Sequence, residues 1–177
     1  MRLLVTFAGG YGHLAPMLPV ARAAAAVGHD VAVAPRPALV GTVEAAGFAA
    51  FATGDPALDP VSDRRPLRPI DPVAEDRVLV EGFAGVVARD RAGALAAHLE
   101  RWRPDVVLCD EVDFGAMVAA ECAGVPHAST VSMPAGTFVR RALLGGGPAA
   151  LRAPHGLGAG PGVTMPHRHP GLVPAPP

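Results

Sequence analysis

Short apolar runs that stop at glycine or proline alternate with Ala-rich segments through residue 131. RLLVTF, residues 2–7, is bounded by AGGYG and reads as a buried strand ending in a glycine turn. Residues 15–27 place apolar positions at helical spacing. Pro16 and Pro19 suit that helix only in its first turn, where a missing N–H costs little. Gly28 then stops it. The same logic predicts a second strand at 30–35, a short helix at 37–46 closed by Gly47, and a weaker third strand at 48–52. Residues 53–76 carry Gly54, Pro56, Pro60, Pro66, Pro69 and Pro72 among many charges, which predicts a long loop. A helix follows over 77–101, with a weak point at Gly82, Gly85 or Gly93. DVVLCD, 105–110, is a strongly apolar fourth strand. Residues 113–123 form a helix stopped by Gly124, VPHASTV at 125–131 is a fifth strand, and a short helix is expected around 135–144.

Strands alternating with helices are the signature of an α/β fold, here a doubly wound, Rossmann-like domain with a parallel core sheet. Right-handed crossovers place helices on both faces. In such folds long loops at the carboxyl ends of strands hold the ligand contacts, and 53–76 is a loop of that kind. The chain changes character at Gly145. Residues 145–177 hold eight Gly, eight Pro and no aromatic residue, so they are expected to bury little. The expected division is therefore a domain over 1–144 and a Gly/Pro-rich tail over 145–177, either mostly disordered or the edge of a larger structure.

Composition narrows the function classes. Half of the 177 residues are apolar, 18% are charged, and the net charge is −1. A wholly disordered chain is excluded, and the length suits one domain with one core. Near-neutral charge offers no basic field to nucleic acid or anionic membrane. All 15 residues in the Lys and Arg count are Arg, and Asn and Gln are absent too, as a GC-rich coding bias would produce. Cys109 and Cys122 match no zinc spacing and read as reduced, mostly buried thiols. No run approaches the ~20 apolar residues of a membrane span, and the first run breaks at Gly9, so the expected compartment is the cytoplasm.

The candidate chemistry sits in GGYGH, residues 9–13. A dinucleotide fingerprint needs a third glycine that is missing here, and a phosphate-binding Walker loop needs a Lys. Two readings remain. His13 is a solvated or hydrogen-bonded turn residue, or it is a base at the mouth of the sheet, where an imidazole titrates near neutrality and takes a proton from a hydroxyl. A base of this kind gains from a carboxylate on its other ring nitrogen. Asp110, at the carboxyl end of the fourth strand, is placed to supply it or else to cap the following helix. Glu111 and Asp113 read as solvated or capping residues.

The opening MRLLVTFAGGYGHLAPMLPVARAAAAVGHDVAVA and the later RPDVVLCDEVDFGAMVAAECAGVPHASTV resemble the N-terminal domain of GT-B glycosyltransferases, the family of natural-product and UDP-dependent sugar transferases. The features are a first strand running into G-x-x-G-H, a Pro three residues after the His, an Ala-rich helix, G-H-D-V opening the second strand, and a later P-D-hydrophobic-D segment. The resemblance covers roughly residues 1–140. It implies transfer of a sugar from a nucleotide-sugar to an acceptor hydroxyl, with inversion, without metal or other cofactor. It implies that His13 is the base, that Asp110 orients it, and that Gly10 and Gly12 form a turn approached by substrate. It points to Phe83, Met133, Thr137 and Phe138 as acceptor-pocket residues, although Met and Phe are equally at home in a core. The implied partners are a small, hydroxylated, apolar acceptor, a nucleotide-sugar, and a C-terminal domain or partner chain, with no nucleic acid and no membrane. The family's nucleotide-sugar motif has no match after Gly145. HRHP at 167–170 lacks a helix start, and GLVPAPP at 171–177 resembles the end of the family's N-terminal domain. The expectation is an acceptor-side half. Two alternatives stand beside it: a non-catalytic small-ligand or auxiliary module, for which His13 is dispensable, and a lipid-intermediate sugar transferase of cell-wall synthesis, which needs an apolar or basic membrane patch near the glycine turn.

Overall fold

The computed structural model describes residues 1–58, 66, 69–132, 139–144, 146–158 and 171–172. Among the described residues, six strands form one parallel sheet: β1 Arg2–Thr6, β2 Asp30–Ala34, β3 Ala49–Ala50, β4 Val106–Asp110, β5 His127–Thr130 and β6 Gly171–Leu172. Their spatial order is β3-β2-β1-β4-β5-β6. β1 is held between β2 and β4, with Val5 opposite Val33 on one side and Leu108 on the other. The chain therefore winds one way through β1, β2 and β3, returns beside β1, and winds the other way. The doubly wound reading is borne out.

Strand alternation gives the sheet two apolar faces. Leu3, Val5, Phe7, Val33 and Leu108 pack against Leu14, Met17, Leu18 and Ala21. On the other side, Leu4, Ala32, Ala34 and Val107 pack against Leu95, Phe114, Met117 and Val118. Both faces are covered, which is why the central strands read as continuous apolar runs.

The helices are α1 Tyr11–Leu14, α2 Leu18–Ala26, α3 Val40–Ala45, α4 Pro72–Arg77, α5 Ala88–Trp102, α6 Phe114–Cys122, α7 Arg141–Leu144 and α8 Gly147–Arg152. Several differ from expectation. Helical structure after β1 begins at Tyr11, not at residue 15, so His13 lies in a helical turn. A 3-10 turn at Ala15–Met17 separates α1 from α2, where Pro16 and Pro19 cannot donate to an α ladder. The helix expected from 77 opens earlier, at Pro72. The Asp71 carboxylate accepts from the Val73 and Ala74 N–H groups, 3.1 Å each, and Pro72 opens α4. The expected weak point in the long helix is a π-helical segment, Val78–Val87, between α4 and α5; it contains Gly82 and Gly85 but not Gly93. Within the tail, Leu151 of α8 is buried, and Arg152 pairs with Glu121 of α6. Gly171–Leu172 adds the sixth strand beside β5. The tail thus contributes more to the core and sheet than its composition suggests. None of the described helices is long and apolar enough to cross a membrane.

Candidate active site

The reversal of winding leaves a crevice between the carboxyl ends of β1 and β4, the place where open parallel sheets bind ligands. His13 and Asp110 meet there. His13 lies seven residues beyond the last residue of β1, and Asp110 is the last residue of β4. Imidazole Nδ1 is 2.6 Å from Asp110 Oδ2. A carboxylate only accepts, so Nδ1–H donates and Nε2 keeps its lone pair. Nε2 has no hydrogen-bond partner among the described residues. Asp110 is fully buried, while the His13 side chain keeps 20% exposure, enough to meet a substrate. Burial by itself would lower the histidine's pKa, but the hydrogen bond and charge of Asp110 outweigh it and hold it above 6.5. Burial pushes the Asp110 carboxyl up, and His13 pulls it down.

The glycine that makes this arrangement possible is Gly9. A Cβ there would lie 2.0 Å from His13 Cδ2 and 2.3 Å from Nε2. A side chain at Gly10 or Gly12 would meet nothing within 4 Å. Gly10 lines the cavity in front of His13, whereas Gly12 is exposed and does not.

That cavity has a volume of about 250 Å³. His13 and Arg36 are its polar side chains; its far wall is Val78, Gly82, Phe83 and Val87 of the π segment. Phe83 stands with its ring centroid 5.9 Å from that of His13. The wider π turn, with i→i+5 bonds, brings residues four and five apart onto one face. Positions 78, 82, 83 and 87 obey that spacing. An α repeat would instead turn Glu81 and Gly85 toward Val78's face. Met133, Thr137 and Phe138 lie outside the described residues.

Glu111 and Asp113, expected to be solvated or capping, are both buried. Glu111 accepts from the Ser132 N–H at 3.0 Å. The cap of α6 is Asp113, which accepts from the Ala116 N–H at 3.2 Å. Asp110 is not that cap; its Oδ1 accepts from Val112 N–H at 3.1 Å within the turn. Arg91, fully buried on α5, holds Asp113 through two bonds of 2.9 and 2.7 Å, and also donates to Thr53 Oγ1 and the Ala34 carbonyl. Sequence reading missed Arg36, Thr53 and Arg91. Arg36 had a signal, its place just past the carboxyl end of β2; Arg91 looks like any other Arg on an amphipathic helix. The thiols differ from each other: Cys109 is buried, and burial drives its pKa well up, while Cys122 is exposed, against expectation.

No protein-family model matches the chain. Among characterised proteins, L-demethylnoviosyl transferase of Streptomyces niveus is 39% identical over 129 residues, covering 71% of this chain and 33% of that protein. Aklavinone 7-beta-L-rhodosaminyltransferase of Streptomyces galilaeus is 32% identical, covering 94% of this chain and 42% of that protein. Among solved structures, the spinosyn rhamnosyltransferase SpnG, complexed with thymidine diphosphate, superposes over 100% of this chain with a TM-score of 0.71 and 26% identity. In sequence and fold this chain resembles the N-terminal domain of GT-B natural-product glycosyltransferases. It spans a third to a half of these relatives' own length, including 46% of SpnG. What the chain shares with these relatives is the parallel α/β sheet described above.

Proposed function

We propose that this chain is the acceptor-side domain of an inverting, metal-independent glycosyltransferase that glycosylates a hydroxyl of a small natural product. The observation that carries the reading is the His13–Asp110 couple, 2.6 Å apart at the rim of a largely apolar cavity. The acceptor lies against the Phe83 wall with its hydroxyl on Nε2. As that oxygen attacks the anomeric carbon, Nε2 takes the hydroxyl proton. The bond to the nucleoside diphosphate breaks, and the diphosphate leaves with the electron pair from the opposite face of the sugar. Asp110 stabilises the imidazolium that forms. Inversion follows from a single displacement. The proton goes to a side chain already in place, so this half of the reaction needs no Lewis acid.

The donor is a nucleotide-sugar, supported by the thymidine diphosphate held by SpnG. Its binding falls mainly to a part of the enzyme not represented in these residues.

The test is made in the complete enzyme of which this chain is the acceptor side. His13→Ala is expected to cut kcat by about 10²–10⁴-fold, the usual weight of a positioned general base. Binding of the acceptor, measured separately, changes little. Retention of the full transfer rate would remove His13 from the mechanism and favour a non-catalytic binding module.

A further inference from the structure

Three buried carboxylates fall within four residues: Asp110, Glu111 and Asp113. They crowd the end of β4 and the start of α6, directly behind the imidazole. Asp110 is paired with His13, and Glu111 accepts a backbone N–H. The third, Asp113, is held by Arg91, itself 0% exposed in the first turn of α5. The guanidinium also reaches the end of β2 at Ala34 and the Thr53 hydroxyl, so one side chain ties three chain segments to the turn that carries Asp110. That turn is tight: the Asp113 N–H donates to the Asp110 carbonyl at 3.2 Å. A Lys could not satisfy these partners, because its three donors on one nitrogen fall short of the four bonds that the Arg91 fork makes.

We propose that Arg91 and Asp113 are positioning residues for the His13–Asp110 couple that act through charge, the buried guanidinium offsetting the Asp113 carboxylate beside the Asp110 that holds the imidazole. The proposal deepens the reading of His13 as a base and rests on it. The charged groups facing the imidazole are Asp110, Glu111 and Asp113 from the β4–α6 turn and Arg36 across the cavity. Arg91 and Asp113 act in turn on Asp110. Removing the negative member of the buried pair leaves a bare cation beside the couple. Removing both members restores neutrality.

The experiment is an NMR titration of the His13 ring in the full 177-residue chain, which needs neither donor nor acceptor. In Asp113→Asn, where the amide oxygen still caps Ala116, the His13 midpoint is expected to fall. In the double variant Arg91→Met with Asp113→Asn, it is expected to return toward the wild-type value. An unmoved midpoint in Asp113→Asn overturns the proposal. So does a midpoint that falls and stays low in the double variant, which would be the mark of damaged geometry rather than unbalanced charge. If Asp113→Asn does not fold, the wild-type chain decides: the Asp113 carboxyl carbon and the Arg91 Nε–H should inflect at the His13 midpoint, and flat signals there overturn it. Because these readouts involve no transfer, they fail independently of the His13→Ala activity test.

Discussion

His13 owes its position to the absence of an atom. With a Cβ at position 9, the ring could not occupy the place from which it reaches both Asp110 and the cavity. Gly9→Ala is therefore expected to slow transfer by about 100-fold, since a displacement near 1 Å at a reacting group costs that much. Gly12→Ala should be kinetically silent. The contrast is read from kcat/KM of the two variants in the complete enzyme. The imidazole must also be neutral to accept a proton. Its pKa is held above 6.5 by Asp110, so kcat/KM is expected to rise with pH through that raised value and then level off. Asp110→Asn removes the charge that raises it. The rising limb then moves to lower pH while the plateau drops, because an amide no longer enforces the Nδ1–H tautomer. His13 and Asp110 were both legible in the sequence, since a strand-end turn and an acid closing an apolar run are local patterns. Gly9 was not distinguishable from Gly10 and Gly12. Which glycine is sterically required depends on a ring folded back over it, and that is a tertiary fact.

At the scale of elements, the helices behind the site are tightly matched. Gly115 on α6 lets α5 approach so closely that a Cβ there would stand 2.4 Å from the Ala88 carbonyl oxygen. Gly115→Ala is expected to destabilise the fold by ~1–3 kcal/mol, as overpacking does. Urea unfolding measures it. Arg91→Met should cost more, about 3–5 kcal/mol, because it strands the buried Asp113 carboxylate; the same melt on the double variant with Asp113→Asn should recover much of the loss. Apolar periodicity revealed α2, α5, α6 and the four longer strands. It missed the start of α4, although an Asp followed by Pro is a local start signal that the surrounding prolines obscured. It marked the weak point of the long helix but not its form. A π turn is chosen by packing against neighbouring helices such as α6 and α8, and the sequence carries only its permissive glycines.

For the molecule as a whole, alternation of strand and helix was enough to predict the doubly wound sheet. The order in space was not readable, because it depends on which edge each crossover returns to. The consequence of that order is that base and carboxylate come from neighbouring strands at the centre of the sheet, its most protected region. Amide hydrogen exchange should be slowest in β1 and β4 and fastest at the two-residue edge strands β3 and β6. The cavity's far wall has a different status. It hangs on Val78–Val87, outside the sheet, and its composition is decided by helical register. Deleting one residue from that stretch would tighten it to an α repeat, swing Phe83 aside and bring an acidic residue round in its place. On the proposed reading, a single slip of the chain would reface the wall offered to an acceptor and leave the His13–Asp110 couple in place.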